Sequence, residues 1–320
     1  VAGLVQSFGS GAMTSSSKDL GDARCIFAIG TNTTAAHPII GLQVMRSIRA
    51  GGKLIVVNPR AIELARHADL FIQNRAGSDV ALLMGMMRVI VDEGLHDAQF
   101  IEARCENFEA FRESLAEYDE ATVEEKTGVP FAQVAEAARM YAQNSPAAIL
   151  YAMGITQHTH GTDNVLATSN LAMLTGNVGL PSGGVNPLRG QSNVQGACDM
   201  GALPNVYPGY QKVDLPEVKA KFEQAWGVEL DDAPGLTHLE ILRGVTAGPI
   251  RAIYLVGENP ALSEADATHA REAMEKVDFL VVQDIFRTES AEYADVVLPA
   301  ASFAEKDGTF TNTERRVQRV

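Results

Sequence analysis

Residues 25–32 and 252–259 of this chain are variations on one pattern, CIFAIGTN and AIYLVGEN, and the stretches immediately after them match as well. KLIVVNPR at 53–60 corresponds to FLVVQDIFR at 279–287, and RHADLFI at 66–72 to EYADVVLP at 292–299. The spacing agrees: Gly30 precedes Asn58 by 28 positions and Gly257 precedes Asp284 by 27, while Asn58 to Asp69 and Asp284 to Asp295 are both 11. Similarity at matched offsets implies two related structural units. Each ends a short apolar run in Gly-x-Asn. In parallel α/β sheets, ligands gather at the carboxyl ends of the strands, where glycine lets the backbone come close and a helix N-terminus can take a phosphate. Two units suggest two nucleotide-like groups. The plainer alternative is that strand-then-glycine is common in α/β proteins and that duplicated folds need not bind duplicated ligands.

Around these passages the chain alternates strand and helix. Apolar runs at 25–29 and 53–57 flank helical spacing over 37–50, a β-α-β unit. A third strand is expected at 70–72 and a helix at 81–92. Amphipathic helices follow at 100–118 and 130–143, then a strand at 147–151. Residues 176–209 turn to Gly, Pro and Asn, which neither helix nor strand rules extend. Beyond them come helices at 217–226, 239–245 and 269–276 and strands at 253–256 and 279–282. The order predicts an α/β fold with parallel, doubly wound sheets.

Composition removes several classes of function. With 26 basic against 40 acidic residues the formal net charge is −14, which disfavours nucleic-acid binding. Cys25, Cys105 and Cys198 are widely spaced with no C-x-x-C, so they read as reduced thiols that assemble no disulfide framework, iron–sulfur site or zinc site alone. No run approaches the roughly 20 apolar residues of a membrane span. The longest, 80–91, is broken by Gly85 and Arg88 and reads as a buried helix. The chain opens on Val1 without the charged start of a signal peptide, as expected of an excised or processed piece.

Individual motifs are less decisive. Gly9-Ser10-Gly11 lacks both a preceding strand and the third glycine of a dinucleotide fingerprint, and no G-x-x-x-x-G-K-[ST] occurs. Gln157-His158-Thr159-His160 has no second cluster to complete a metal site and reads as a turn. Met153-Gly154-Ile155-Thr156-Gln157 follows a strand end, where backbone and amide groups can line a ligand. Arg189 lies on a Gly-rich loop with few charges. Its planar fork suits a carboxylate, yet it could equally tie down loop carbonyls.

PLRGQSNVQGACDMGALPNVYPGYQ at 187–211, with AIGTNTTAAHP, LIVVNPR, YAMGITQHTHG, YLVGENP, VQDIFRTESAEYADVVLPA and GTFTNTERRVQ, resembles the catalytic subunit of molybdopterin-dependent formate dehydrogenases. The resemblance runs along essentially the whole chain. Several segments are shared across the dimethyl-sulfoxide-reductase family, whereas 189–201 is closer to formate dehydrogenases than to periplasmic nitrate reductases. The resemblance implies a molybdenum or tungsten ion between two pterin guanine dinucleotides, one on each of two related α/β domains. Gly30, Asn32, Asn58, Pro59, Arg60, Gly77, Asp79, Met153, Gly154 and Gln157 would line one dinucleotide. Gly257, Glu258, Asn259, Gln283, Asp284 and Thr288 would line the other, and Gly190 and Gln191 would lie near the metal. Arg189 would hold the formate carboxylate. The implied domains are 1–190, 191–303 (its N-terminal part missing) and 304–320, the last returning to an absent iron–sulfur domain.

The same resemblance marks departures. Val1-Ala2-Gly3-Leu4 looks like the tail of the family's Cys-His-Ser-Pro-x-Val-x-Gly-Leu motif, so the chain is expected to begin just after the Cys or selenocysteine metal ligand. It supplies no metal ligand of its own, and the cysteines of a 4Fe–4S cluster and the C-terminal barrel are expected outside it. The implied partners are formate or carbon dioxide and iron–sulfur or flavin electron-transfer subunits, with neither nucleic acid nor membrane insertion. The expected compartment is the cytoplasm, the periplasm being the alternative. Other open readings are another molybdopterin oxidoreductase, such as a nitrate reductase, and a pterin-free structural relative such as the large iron–sulfur subunit of respiratory complex I.

Overall fold

The computed structural model describes residues 2–320; Val1, with which the expected motif tail begins, lies outside them. Two compact units form, one running through Val194 and including Thr311–Arg316, the other made of Gln195–Phe310 and Val317–Val320.

In the first unit, β1 (Cys25–Ile29), β2 (Lys53–Val57), β3 (Leu70–Ile72), β4 (Ala147–Tyr151) and β5 (Gly184–Pro187) form one sheet in the order β3-β2-β1-β4-β5, with every pairing parallel. Successive strand residues point to opposite faces, and both faces are dry. Phe27, Ile29, Ile55, Val57, Ile149 and Tyr151 pack against Leu82 and Met86 of helix Asp79–Asp92, Val134 and Tyr141 of Phe131–Gln143, and Leu171 of Gly161–Leu174. Ile26, Ala28, Leu54, Val56 and Leu150 face Ile40 and Val44 of helix Pro38–Arg49, with Leu20 and Leu64. Burial on both sides is why these strands read as continuous apolar runs rather than alternating ones.

After a small hairpin, β6 (Val206–Tyr207) and β7 (Gln211–Lys212), the second unit builds a parallel sheet from β8 (Ala252–Val256), β9 (Phe279–Asp284) and β10 (Val296–Pro299) in the order β10-β9-β8. Leu280 and Val282 pack with Ala261, Met274 and Ala291, while Tyr254, Val256 and Phe279 are exposed. A terminal hairpin joins β11 (Thr309–Thr311) and β12 (Val317–Arg319).

The internal similarity is structural. β3-β2-β1 matches β10-β9-β8, and equivalent residues make equivalent bonds. The Asp69 carboxylate accepts from the Leu54 amide at 2.9 Å while the Asp69 amide donates back to Leu54; Asp295 does the same with Leu280, its carboxylate accepting at 2.8 Å. Gly30 donates to the Val57 carbonyl and Gly257 to the Gln283 carbonyl. The expected parallel sheets with flanking helices are therefore present.

Two expectations need correction. The single helix at 100–118 is two, Ala98–Arg104 and Phe108–Ser114, separated where Asn107 takes a left-handed backbone with φ 58°. The Gly-, Pro- and Asn-rich stretch at 176–209, which neither helix nor strand rules extend, contains β5 and helix Val194–Asp199. Strand β5 is fully buried despite its sequence Gly-Val-Asn-Pro, because β4 pairs with one edge and Thr14 bonds Val185 through both its amide and its hydroxyl.

Candidate functional site

Strand β1 connects onward to β2 on one side and lies beside β4 on the other, so the order reverses between β1 and β4. Crevices at such switch points are where open parallel sheets bind ligands. Gly30 and Gly154 follow the ends of these two strands. The Gly154 amide donates to the Gly30 carbonyl at 3.0 Å. Gly30 has φ 58°, and a Cβ there would come within 2.8 Å of the Gly154 carbonyl carbon. Both glycines are thus required by one close backbone crossing.

Above this crossing lies a groove of about 330 Å³, within the range of ligand pockets. Gly30, Asn32, Asn58, Pro59, Arg60, Gly77, Asp79 and Gly154, all expected from the sequence, line it. Met153, at the start of the short helix Met153–Thr156 that follows β4, and Gln157, just after that helix, are exposed and are not part of its lining. Thr31, Asn74, Ala76 and His158 also line it, beyond those expected. The sequence places His158 in a turn, and nothing there sets it apart, since it lies beyond the short helix Met153–Thr156 that follows β4.

The groove is rich in acceptors. Asp79, at the start of its helix, is only 5% exposed. Its carboxylate accepts from Asn74 Nδ2 at 3.3 Å and lies 3.9 Å from His158 Nε2, which is also 2.8 Å from the Gly154 carbonyl oxygen. Burial pushes the Asp79 carboxyl up, against the opposing pull of Asn74 and His158. Among the described residues the side-chain oxygens of Asn32 and Asn74 are buried without a hydrogen-bond partner, and Asn58 Oδ1 accepts from the Arg60 amide. Buried acceptors left unmatched are costly, and a ligand bearing N–H and O–H donors would satisfy them. The hydroxyls of ribose and the ring and exocyclic N–H groups of guanine are such donors, so these residues fit a guanine dinucleotide.

Arg189 lies beyond β5 on the same carboxyl edge. Its guanidinium donates to the Gly11 carbonyl, and its own carbonyl is held by His37 Nε2 at 2.8 Å. Its charge opposes the upward push of burial on the Tyr151 hydroxyl. Gly190 and Gln191 are exposed on the same loop. His37 is another residue the sequence does not single out.

In the second unit the corresponding edge is arranged differently. Gly257 has φ 64° and open space where a Cβ would point. Asn259 accepts from the Ser290 amide and hydroxyl and donates to Glu289. Asp284 caps the amides of Ile285 and Phe286, and Gln283 accepts from the Tyr254 hydroxyl. Among the described residues Thr288 Oγ1 is buried without a partner. Glu258 lies 3.7 Å from His238 Nδ1, whose Nε2 is 2.9 Å from Glu264. Of these expected residues, only Glu258 lines a neighbouring cavity of about 370 Å³.

A family model described as molybdopterin oxidoreductase matches residues 5–320. The chain belongs to the molybdopterin oxidoreductase family. Curated relatives of this molybdopterin oxidoreductase chain include the F420-dependent formate dehydrogenase 1 subunit alpha of Methanococcus maripaludis, 50% identical over 100% of the chain and 47% of that protein. Formate dehydrogenase H of Escherichia coli is 46% identical over 100% of the chain and 45% of its own length. The chain thus spans about half the length of these relatives. Among solved structures, acetylene hydratase from Pelobacter acetylenicus superposes with a TM-score of 0.77 at 25% identity, covering 98% of this chain and 45% of that one. The family implies a molybdenum and pterin cofactor. Among the described residues, no helix is long and apolar enough to cross a membrane, and Cys25, Cys105 and Cys198 are free.

Proposed function

We propose that this chain is the central part of the catalytic subunit of a formate dehydrogenase. In this reading residues 1–190 and 191–303 are its two pterin-dinucleotide domains, and residues 304–320 lead toward a separate iron–sulfur domain. Identity of 46–50% along the whole chain to relatives named formate dehydrogenase carries the assignment. The fold alone does not choose the substrate, since a relative named acetylene hydratase shares it at only 25% identity.

A molybdenum or tungsten bis(pterin guanine dinucleotide), when bound, supplies the two-electron redox chemistry. This chain's task is to bind and orient. Asp79, Asn58, Asn32 and Asn74 present acceptors to ribose and base, while Gly30, Gly77 and Gly154 allow close approach. Pro59 and Arg60 complete the lining of the first site, and Met153 and Gln157, outside that lining, meet the part of the dinucleotide that extends beyond the groove. Gly257, Glu258, Asn259, Gln283, Asp284 and Thr288 serve the second dinucleotide, and Gly190 and Gln191 stand toward the metal end.

Arg189 pairs its fork with the formate carboxylate and fixes the direction of the C–H bond, a task for which a planar, pre-organised donor set is better than a flexible ammonium. Formate then loses two electrons and a proton and leaves as carbon dioxide. The two electrons would pass on to a 4Fe–4S cluster outside this chain and to iron–sulfur or flavin subunits, none of which this chain's residues ligate in this reading.

In the full-length protein, Arg189→Ala should lower kcat/KM for formate by at least ~3 kcal/mol equivalent, roughly 10²-fold. Unchanged kinetics remove Arg189 from the substrate site. A substrate panel with nitrate reduced and formate untouched would replace the substrate. Denaturing release followed by mass spectrometry tests for the guanine dinucleotide directly, and a full-length protein without any pterin would belong with pterin-free structural relatives.

A further inference from the structure

The loop that carries Arg189 leaves β5 after Pro187 and ends at Asn193, where helix Val194–Asp199 begins. One short stretch of the first unit fastens both of its ends. The Thr313 hydroxyl donates to the Pro187 carbonyl at 2.7 Å, and the Thr311 amide donates to Asn193 Oδ1 at 2.9 Å. Asn193 needs such support, because it holds a left-handed backbone with φ 61°.

The stretch is itself anchored. Glu314 Oε2 accepts from the Ser16 hydroxyl at 2.8 Å, the Ser17 amide at 2.7 Å and the Ser17 hydroxyl at 3.1 Å. Burial opposes ionisation of Glu314, but these donors and Asn312 outweigh it and bring the carboxyl down to about 2. The anchor residues are tied in turn to β5: Ser15 donates to the Gly183 carbonyl at 2.6 Å, and Thr14 exchanges bonds with Val185. Hydrogen bonds therefore close a circuit from β5 through the Arg189 loop, residues 311–314 and residues 14–17, back to β5.

The geometry points to Thr313 as a positioning residue for Arg189, acting through a clasp of residues 311–314 across both ends of the arginine's loop. This rests on the proposed role of Arg189 at the substrate. β5 is already paired along β4 and bonded to Thr14, so sheet closure does not require the Thr313 bond; that bond terminates beside Arg189. Ordering a loop before substrate arrives removes an entropy cost from binding, and small misplacements of a positioning group are expensive in rate.

Two measurements with Thr313→Val and Thr313→Ser test this. On the 320-residue chain, hydrogen exchange of the amides at 188–193 should quicken about 5-fold in Thr313→Val, the equivalent of one neutral hydrogen bond. Strand β1 should be unchanged, and Thr313→Ser should restore protection. In the full-length protein, Thr313→Val should lower kcat/KM for formate about 10-fold and have no further effect when added to Arg189→Ala, because residues acting through one group are not additive.

Equal losses in both backgrounds would overturn the proposal, since Thr313 would then act elsewhere. So would unchanged exchange together with unchanged kinetics. If Arg189→Ala is itself silent, the substrate role of Arg189 falls, and unaltered exchange in Thr313→Val would show separately that the clasp does not hold the loop.

Discussion

Gly30→Ala and Gly94→Ala make the same chemical change at nearly the same backbone angle, φ 58° and 63°, in the same unit. An alanine in the left-handed region costs about 1–2 kcal/mol at either place. At Gly94 nothing lies within 4 Å of the added Cβ, so that cost is the whole effect. At Gly30 the Cβ would stand 2.8 Å from the Gly154 carbonyl carbon and 2.9 Å from the Ile155 nitrogen, both backbone atoms that cannot rotate away. Relief requires the ends of β1 and β4 to separate, which adds about 1–3 kcal/mol of strain and weakens the Gly154-to-Gly30 hydrogen bond, worth about 1 kcal/mol. Gly30→Ala should therefore cost about 3–6 kcal/mol and Gly94→Ala about 1–2 kcal/mol. Because two units can unfold separately, the assay should be local: native-state hydrogen exchange of the β1 and β4 amides. Equal losses in the two variants would refute the claim that the crossing, rather than the backbone angle, requires glycine at position 30.

Three further outcomes are expected. Asp79→Asn should raise the stability of the first unit, by removing a charge that burial disfavours, yet weaken guanosine diphosphate binding in calorimetry; a loss of stability would contradict the dominance of burial at this carboxylate. Glu314 is held below its ordinary value, so its stabilisation is fully present above about 4.5 and lost as pH falls toward about 2. Glu314→Gln should accordingly flatten that acid limb in denaturation curves measured against pH. Cys25 is buried, and burial pushes its thiol up to about 12, with the Asp69 charge adding to the effect. Mass spectrometry should find it unalkylated by iodoacetamide at about pH 8 in the folded chain, and rapid labelling would show that β1 opens.

The strands β1, β2, β3 and β4 were legible because each is an apolar run closed by Gly, Asn or a turn. β5 was not, because tertiary pairing, rather than the intrinsic preference of Gly-Val-Asn-Pro, makes it a strand. Helix Gly161–Leu174 was hidden for a related reason: Asn164, Thr168 and Ser169 are completely buried and interrupt the apolar period. Asn164 donates to the Ile155 carbonyl and Thr168 to the Asn164 carbonyl, so these two polar residues are core by virtue of their partners. The groove was legible where strand ends carry Gly30, Asn58 and Gly154. Asn74 and His158 were not, since only the folded path brings the loop after β3 and the turn after β4 to Asp79.

The two units separate what a parallel α/β scaffold needs from what a ligand site needs. Asp69 and Asp295 make matching bonds to Leu54 and Leu280, and Gly30 and Gly257 donate to matching carbonyls at the ends of β2 and β9. These contacts join neighbouring strands and recur in both sheets. At the carboxyl edge the correspondence ends. Gly30 is crossed by Gly154, whereas Gly257 has no neighbour in the equivalent space. Asn32 keeps an unmatched buried oxygen, whereas Asn259 spends its side chain on Ser290 and Glu289. A repeat recognised by its strands therefore predicts where each site lies without predicting that its contacts are shared. If each unit holds one guanine dinucleotide, donors and acceptors must be matched by different side chains in the two, and equivalent substitutions at Asn32 and Asn259 should act on ligand affinity in the first unit and on folding stability in the second.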